Sequence, residues 1–400
     1  MTPLFLRHFT ASSCIGRGLQ ATLESIRAQR SGLAPCAFET VTLDTHIGEV
    51  QGVDEVRLPA TRKRFDCRNN RLTQLGITQD GFVDAVAECA GRWGRRRVGL
   101  FLGTSTSGIL ETEVAYRRRD PGTGALPASF DYAGTHNSYS LAAFAHEVLG
   151  LEGPSAVVSS ACSSSAKVFC SARRMIAAGL IDAAVVGGVD SLCLTTLYGF
   201  HSLQLVSRHP CRPFDVERDG ISIGEAAAFA LIERAPDSLD AEAVLLLGAG
   251  ESSDAYHMSS PHPEGRGARA AMFQALESAG LTAQQIDYIN LHGTGTPSND
   301  SAEGKAVAAV FADRDQPVPA SSTKGATGHT LGAAGALEAV ICALALRHGI
   351  LPGSAHTRRV DPSLGFEYLR TNRQRPIARV LSNSFGFGGS NCALILGRAG

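Results

Sequence analysis

Short, almost wholly apolar runs alternate with stretches of helical periodicity along the entire 400-residue chain. "RVGLFLG", "SAVVSSAC", "DAAVVGGVDS" and "AAAFALIER" fall in the first part; "AEAVLLLGAG", "DYINLHGTG", "VLSNSFGFGG" and "CALILG" fall in the second. Such runs, rich in valine, leucine and isoleucine and closed by glycine or serine, predict strands buried on both faces. Between them the spacing predicts helices over 80–90, 163–178, 266–278, 301–312 and 332–346. That alternation points to an α/β fold whose central sheets are covered by helices. The two parts are alike in outline, each with a strand, a turn of small residues and a helix. The boundary is expected near residues 245–250, giving halves 1–247 and 248–400. Similarity between the halves is too weak to prove duplication.

Composition narrows the class. Charged residues make up only 19% of the chain and apolar ones 44%, which implies a large core and a buried subunit interface. A formal net charge of -1 argues against a nucleic-acid binder held by phosphate neutralisation. No run reaches eighteen uninterrupted apolar residues, so no membrane span is expected. The first residues, "MTPLFLRHFTASSC", break their apolar run with Arg7 and His8 and do not read as a signal-peptide core. The ten cysteines contain no C-x-x-C pair and read as reduced thiols of a cytoplasmic protein.

Of those cysteines, Cys162 stands apart. It lies in "VVSSACSSSAKVF", between an apolar run and the start of a predicted helix. Free N–H groups and the positive helix end favour an anion there, so this placement is expected to lower the thiol pKa and expose a nucleophile. The flanking Ala161, Ser163, Ser164 and Ser165 leave room for substrate. For any one cysteine, the alternative is a small buried core residue.

Two of the twelve histidines occupy unusual loops. "INLHGTGTPSND" puts His292 directly after a predicted strand, and "SSTKGATGHTLGAAG" puts His329 in a second glycine-rich loop behind Lys324. In α/β proteins ligands bind outside the carboxyl ends of strands. His8, His46, His209, His348 and His356 read as structural or surface residues. A third loop, "SNSFGFGGSNC", could present backbone N–H groups around Phe387 to a developing oxyanion. No carboxylate stands at a metal-ligand spacing from either histidine, so no metal is expected.

Six motifs in order now carry a resemblance. "SSACSSS", "CRPFDVERDGISIGEAA", "DAYHMSSP", "LHGTGTPSND", "STKGATGHTLGAAG" and "SNSFGFGGSN" resemble those of type II elongating β-ketoacyl-acyl-carrier-protein synthases over essentially the whole chain. The resemblance implies the thiolase fold, two similar α/β halves in five layers, working as a dimer. It implies acyl transfer from the carrier's phosphopantetheine to Cys162, then decarboxylative Claisen condensation with malonyl carrier, with no cofactor of the enzyme's own. By the same resemblance, His292 and His329 stabilise the enolate, and Lys324 and Glu303 orient that pair. The N–H groups of Cys162 and Phe387 form the oxyanion hole, and Phe387 is the gate. Thr294 and Thr296 contact phosphopantetheine or malonyl, and Thr106 limits the acyl pocket. "RNNRLTQL" and "TSTSGILETEVAYRRRD" are closer to polyene or polyketide-associated synthases, such as those of aryl polyene pathways, than to housekeeping fatty-acid enzymes.

An acidic carrier protein needs a basic dock. Arg62, Lys63, Arg64, Arg68 and Arg71, with Arg117, Arg118 and Arg119, supply candidate patches. The expected partner subunit is a second copy or a related ketosynthase or chain-length-factor-like chain. A non-catalytic chain-length-factor role is the alternative, but such subunits normally lack the nucleophile, which is present here. A thiolase would need a second, basic cysteine in the C-terminal loop; Cys392 falls on an apolar strand instead.

Overall fold

The computed structural model describes residues 2–399; Met1 and Gly400, the outer ends of the two expected halves, lie outside it. Ten strands position the site. The first five are β1 (Leu4–Ser13), β2 (Val98–Gly103), β3 (Ser155–Val158), β4 (Ala183–Asp190) and β5 (Ala226–Arg234). The second five are β6 (Val244–Ser253), β7 (Tyr288–Asn290), β8 (Pro319–Ser321), β9 (Arg379–Gly386) and β10 (Ser390–Arg398).

Side by side, the first set runs β1-β5-β4-β2-β3 and the second β6-β10-β9-β7-β8. In both, the first strand is antiparallel to the last and the last antiparallel to the fourth. The fourth is then parallel to the second and the second parallel to the third. The duplication that the sequence halves leave unproven is therefore plain in the topology. The sheets meet where β1 touches β6, at Leu4 opposite Leu246 and Phe5 opposite Leu245. Since β6 begins at Val244, the boundary expected at 247/248 falls inside a strand.

Strands β2 and β4 are buried at every position, as their apolar runs predict. Edge strand β3 is only half-buried. Strand β1 is not legible as one because Arg7 and His8 interrupt it. The structure absorbs them in a register shift between Leu6 and His8, and Arg7 reaches Glu233 at 3.1 Å.

Six helices matter here: α1 (Arg68–Ile77), α2 (Ile109–Arg117), α3 (Ser164–Ala177), α4 (Arg266–Ala279), α5 (Pro297–Val310) and α6 (Ala334–His348). Helices α3 and α6 lie between the sheets and touch both; α1 covers the outer face of the first sheet and α4 that of the second. These are five layers. Helix α5 starts at Pro297, ahead of the expected 301, because proline suits the first helical position.

Residues 334–346 of α6 are all buried, which explains a helix apolar all round. The segment Leu331–His348 is long and apolar enough to cross a membrane, yet 89% of it is buried inside the fold. At the crossing of α3 and α6, a Cβ on Gly335 would stand 2.6 Å from the Ala166 nitrogen. Glycine there lets the backbones touch, and the Ala336 N–H donates to Ser165 Oγ at 2.9 Å. The starts of the two central helices are thereby held together.

Candidate active site

That crossing assembles the site. Between β3 and α3 the chain turns sharply, with Ala161 at φ +51°, a left-handed conformation costly for a residue bearing Cβ. Helix α3 starts just beyond, with Ser163 at its N-cap. The turn presents Cys162 to a cleft of about 600 Å³, part of it open to solvent, also lined by His292, His329, Thr294, Thr296 and Phe387.

The thiol differs from the sequence expectation in one respect. Cys162 is only 5% exposed, and burial pushes its pKa up to about 12, against the opposing pulls of Lys324 and the Phe387 N–H. Removal from water outweighs the helix end. The resting sulfur is a neutral thiol that must hand its proton to a base.

His329 Nε2 lies 3.0 Å from Cys162 Sγ, within reach of that proton. The His292 ring stands 5.3 Å from the His329 ring, centroid to centroid, and nearly perpendicular to it. Burial, followed by the charge of Lys324, lowers both imidazole pKa values well below 6.5. Both rings are therefore neutral at neutral pH. Lys324 Nζ lies 3.4 Å from His292 Nδ1; an ammonium can only donate, so the ring proton of His292 sits on Nε2. Nδ1 of His329 has no partner among the described residues, which leaves its tautomer free to change.

Lys324 also donates to Glu338 of α6. Sequence reasoning missed Glu338, although a single carboxylate in the apolar stretch "GALEAVICALAL" was a signal. Glu303 reaches the ring pair through the main chain rather than through a ring nitrogen. Its carboxylate accepts the backbone N–H of His292 at 2.8 Å and of Gly293 at 2.7 Å, and the Asn383 amide at 3.0 Å. It fixes the main chain beneath His292. Burial raises its pKa to about 7.

Phe387 is half-buried, and its ring lies 5.5 Å from that of Phe200. Its N–H is directed at the Cys162 sulfur, beside the positive-φ pair Gly388 and Gly389. Thr294 and Thr296 share a hydroxyl hydrogen bond of 2.9 Å at the cavity wall. Thr106 is a correction: it does not line this cavity. Asp190, another residue the sequence reading missed, draws the Thr106 hydroxyl to 2.8 Å and also accepts the Gly332 N–H at 2.6 Å. Thr106 lines a separate polar recess with Tyr132 and His136.

The basic patches divide. Lys63, Arg64 and Arg118 come together around one cleft of about 570 Å³, shared with Asp66, Glu111 and Asp131. Arg117 and Arg119 are exposed beside it, Arg62 is half-buried, and Arg71 pairs with Asp66. Arg68 is a second correction: it is 4% exposed and bound to Glu225, Asp54 and Glu49, so it cannot greet a partner.

The ligand atoms of Cys162, His292 and His329 lie within 4.8 Å of one another, close enough to hold a metal. The surroundings do not fit one. Metal-bound imidazoles usually donate their second N–H to a carboxylate or carbonyl. His292 instead faces the Lys324 ammonium, which repels a dication.

A duplicated α/β chain whose central helices join a thiol to two imidazoles is a thiolase-type protein. The chain belongs to the β-ketoacyl synthase family: the Beta-ketoacyl synthase N-terminal domain matches residues 70–238, and the C-terminal domain matches residues 243–358. It is 38% identical over 261 residues to the mitochondrial 3-oxoacyl-[acyl-carrier-protein] synthase of Arabidopsis thaliana. That match covers 62% of this chain and only 57% of the plant protein's length. Nodulation protein E of Rhizobium meliloti is 35% identical over 304 residues, covering 74% of this chain and 75% of that protein. Among solved structures, the complex of the ketosynthase ApeO with its chain length factor ApeC from Xenorhabdus doucetiae contains a similar chain. It has a TM-score of 0.88 and 37% identity, covering all of this chain and 98% of that one.

Proposed function

We propose that this protein is a cytoplasmic β-ketoacyl-acyl-carrier-protein synthase extending an acyl chain by two carbons. The observation that carries the reading is the Cys162 sulfur 3.0 Å from His329 Nε2, with His292 across the same cavity.

In the first half-reaction His329 takes the thiol proton as sulfur attacks the acyl thioester of the carrier. The carbonyl oxygen rests on the N–H groups of Cys162 and Phe387, and the carrier thiol leaves with the proton held by His329. Malonyl carrier follows. Its bond to the carboxylate breaks, carbon dioxide departs, and the electron pair becomes an enolate. His292 donates its Nε2–H to the enolate oxygen, and His329 donates there once its ring proton has moved from the unpartnered Nδ1 to Nε2. The enolate carbon attacks the acyl carbonyl, and the Cys162 sulfur leaves and regains a proton from solvent. Every substrate arrives on phosphopantetheine, so no resident cofactor enters.

The test is reconstitution with malonyl carrier and a ladder of acyl carriers, read by mass spectrometry. A product longer by two carbons, with a transient acyl adduct on the Cys162 peptide, supports the reading; decarboxylation without chain extension sinks it.

The likeness to the ApeO–ApeC complex supports an aryl polyene type of pathway and a heterodimer with a chain-length-factor-like subunit. A second copy of this chain is the other possible partner. The half-buried edge strand β3 is a natural place for either.

The cleft between Lys63, Arg64 and Arg118 is the proposed dock for the acidic carrier. Charge reversal at Lys63 or Arg118 is expected to raise the KM for carrier up to about fivefold at low ionic strength, since one exposed pair is worth about 0–1 kcal/mol. The effect should fade in high salt. Equal weakening at both salt concentrations would refute an electrostatic dock.

A further inference from the structure

Arg68 does not serve the surface, and its surroundings give it another task. Its guanidinium forks onto Glu225, Nε to Oε2 at 2.9 Å and Nη2 to Oε1 at 2.7 Å. The remaining donors reach Asp54 at 2.9 and 3.0 Å and Glu49 at 3.0 Å. Glu225 is fully buried, and its two oxygens also accept the backbone N–H groups of Val50 and Leu192, each at 2.9 Å. One carboxylate, at the residue just before β5, thus joins helix α1, the segment at 49–54 and the turn after β4. A bidentate, charge-assisted contact of this kind fixes direction as well as distance.

Glu225 directly follows the stretch that carries His329. The His329 N–H donates to the Ser222 carbonyl at 2.7 Å, and the Gly224 N–H donates to the His329 carbonyl at 3.0 Å. Residues 223–224 run parallel beside residues 47–48, and the Glu225 N–H donates to the Gly48 carbonyl at 2.9 Å. A Cβ on either Gly48 or Gly224 would collide with the Thr327 carbonyl oxygen. The loop ending in His329 therefore rests directly on this glycine pair, with the ion pair at its end.

We infer that the Arg68–Glu225 pair positions His329: it locks the 222–224 stretch whose backbone clamps that residue, and so sets the 3.0 Å contact between Nε2 and the Cys162 sulfur. Neither residue lines the cavity; both are positioning residues. The consequence for turnover rests on the ketosynthase reading, whereas the consequence for the thiol does not.

The experiment measures alkylation of Cys162 by iodoacetamide, followed by peptide mapping, in folded protein. It compares wild type, Glu225→Gln, His329→Ala and the double variant, with thermal unfolding and circular dichroism as the check on folding. A neutral buried thiol needs its base, so His329→Ala slows labelling. Glu225→Gln is expected to slow it by up to about 10²-fold, the scale for a misplaced catalytic group. Glu225→Gln should add nothing in the His329→Ala background, because residues acting through one another are non-additive.

In the condensation assay, Glu225→Gln should lower kcat with the KM for malonyl carrier unchanged. Arg68→Lys, which keeps the charge and loses the fork, is read in the same way should Glu225→Gln not fold. A folded variant with wild-type labelling and kcat overturns the inference. So does a labelling defect that persists in full when His329 is absent. Non-additive labelling in a wild type that does not condense would keep the positioning role and sink the ketosynthase reading.

Discussion

Cys162→Ala is expected to abolish both acyl loading and condensation, lowering turnover by at least about 10⁴-fold, the scale of losing a catalytic nucleophile. None of the nine other thiols lines the cavity. Seven of them are buried, and among these Cys67, Cys193 and Cys211 have pKa values pushed up to between about 11 and 12 without facing the cavity. Cys170 of α3 and Cys392 of β10 lie 3.8 Å apart between sulfurs, in the core between that helix and strand. Cys14 is half-buried, yet its sulfur is turned to the carbonyl of Thr327 at 3.4 Å. Decarboxylation of malonyl carrier should survive the substitution, because His292 and His329 remain to hold the enolate. Intact-mass measurement after incubation with acyl carrier checks the first claim, and carbon dioxide release checks the second. A full-stoichiometry acyl adduct in the alanine variant would remove Cys162 from the mechanism.

Much of this was legible from residue order. The buried strands announced themselves because parallel strands under helices must be apolar on both faces. Cys162 and His292 stood out by a strand-to-loop setting, and His329 by its glycine-rich loop behind Lys324, rather than by residue type. Pairwise chemistry between distant segments was not legible. Nothing local tells that Arg68 will turn inward to Glu225, 157 positions away, while Lys63 and Arg64 stay outside. The same holds for Thr106, whose hydroxyl is taken by Asp190 across 84 positions. The Cys162 pKa was misjudged for a related reason. A helix N-terminus is visible in sequence, whereas the depth of burial that outweighs it belongs to the assembled layers.

The duplication explains why the site lies where it does. Cys162 follows the third strand of the first repeat, and His329 follows the third strand of the second. Each leads into the central helix of its repeat, α3 or α6. Packing those helices against one another, through Gly335 and Ala166, brings together two loops that occupy matching places in the two repeats. His292 joins them from the end of β7, the second strand of its repeat, and so reaches the cavity from a different direction.

That difference in approach predicts a split between the two histidines, which a common role in enolate binding would not give. His292→Ala removes one donor to the enolate oxygen and is expected to slow decarboxylation by about 10²–10³-fold. It should leave loading nearly intact, since His292 makes no hydrogen bond to the Cys162 sulfur among the described contacts. His329→Ala removes the base 3.0 Å from a thiol held at about 12. It should therefore slow loading by about 10²–10⁴-fold, the range for general-base catalysis, and slow decarboxylation as well. The pH dependence follows from the same geometry. Burial and Lys324 lower the His329 pKa well below 6.5, so the base stays neutral as pH falls through 6.5. Loading should hold steady there and fail only at more acid pH, when the ring takes up a proton. Single-turnover loading, followed by mass spectrometry across pH in both variants, separates these outcomes. Equal loading defects in His292→Ala and His329→Ala would show that the sulfur does not depend on the nearer ring.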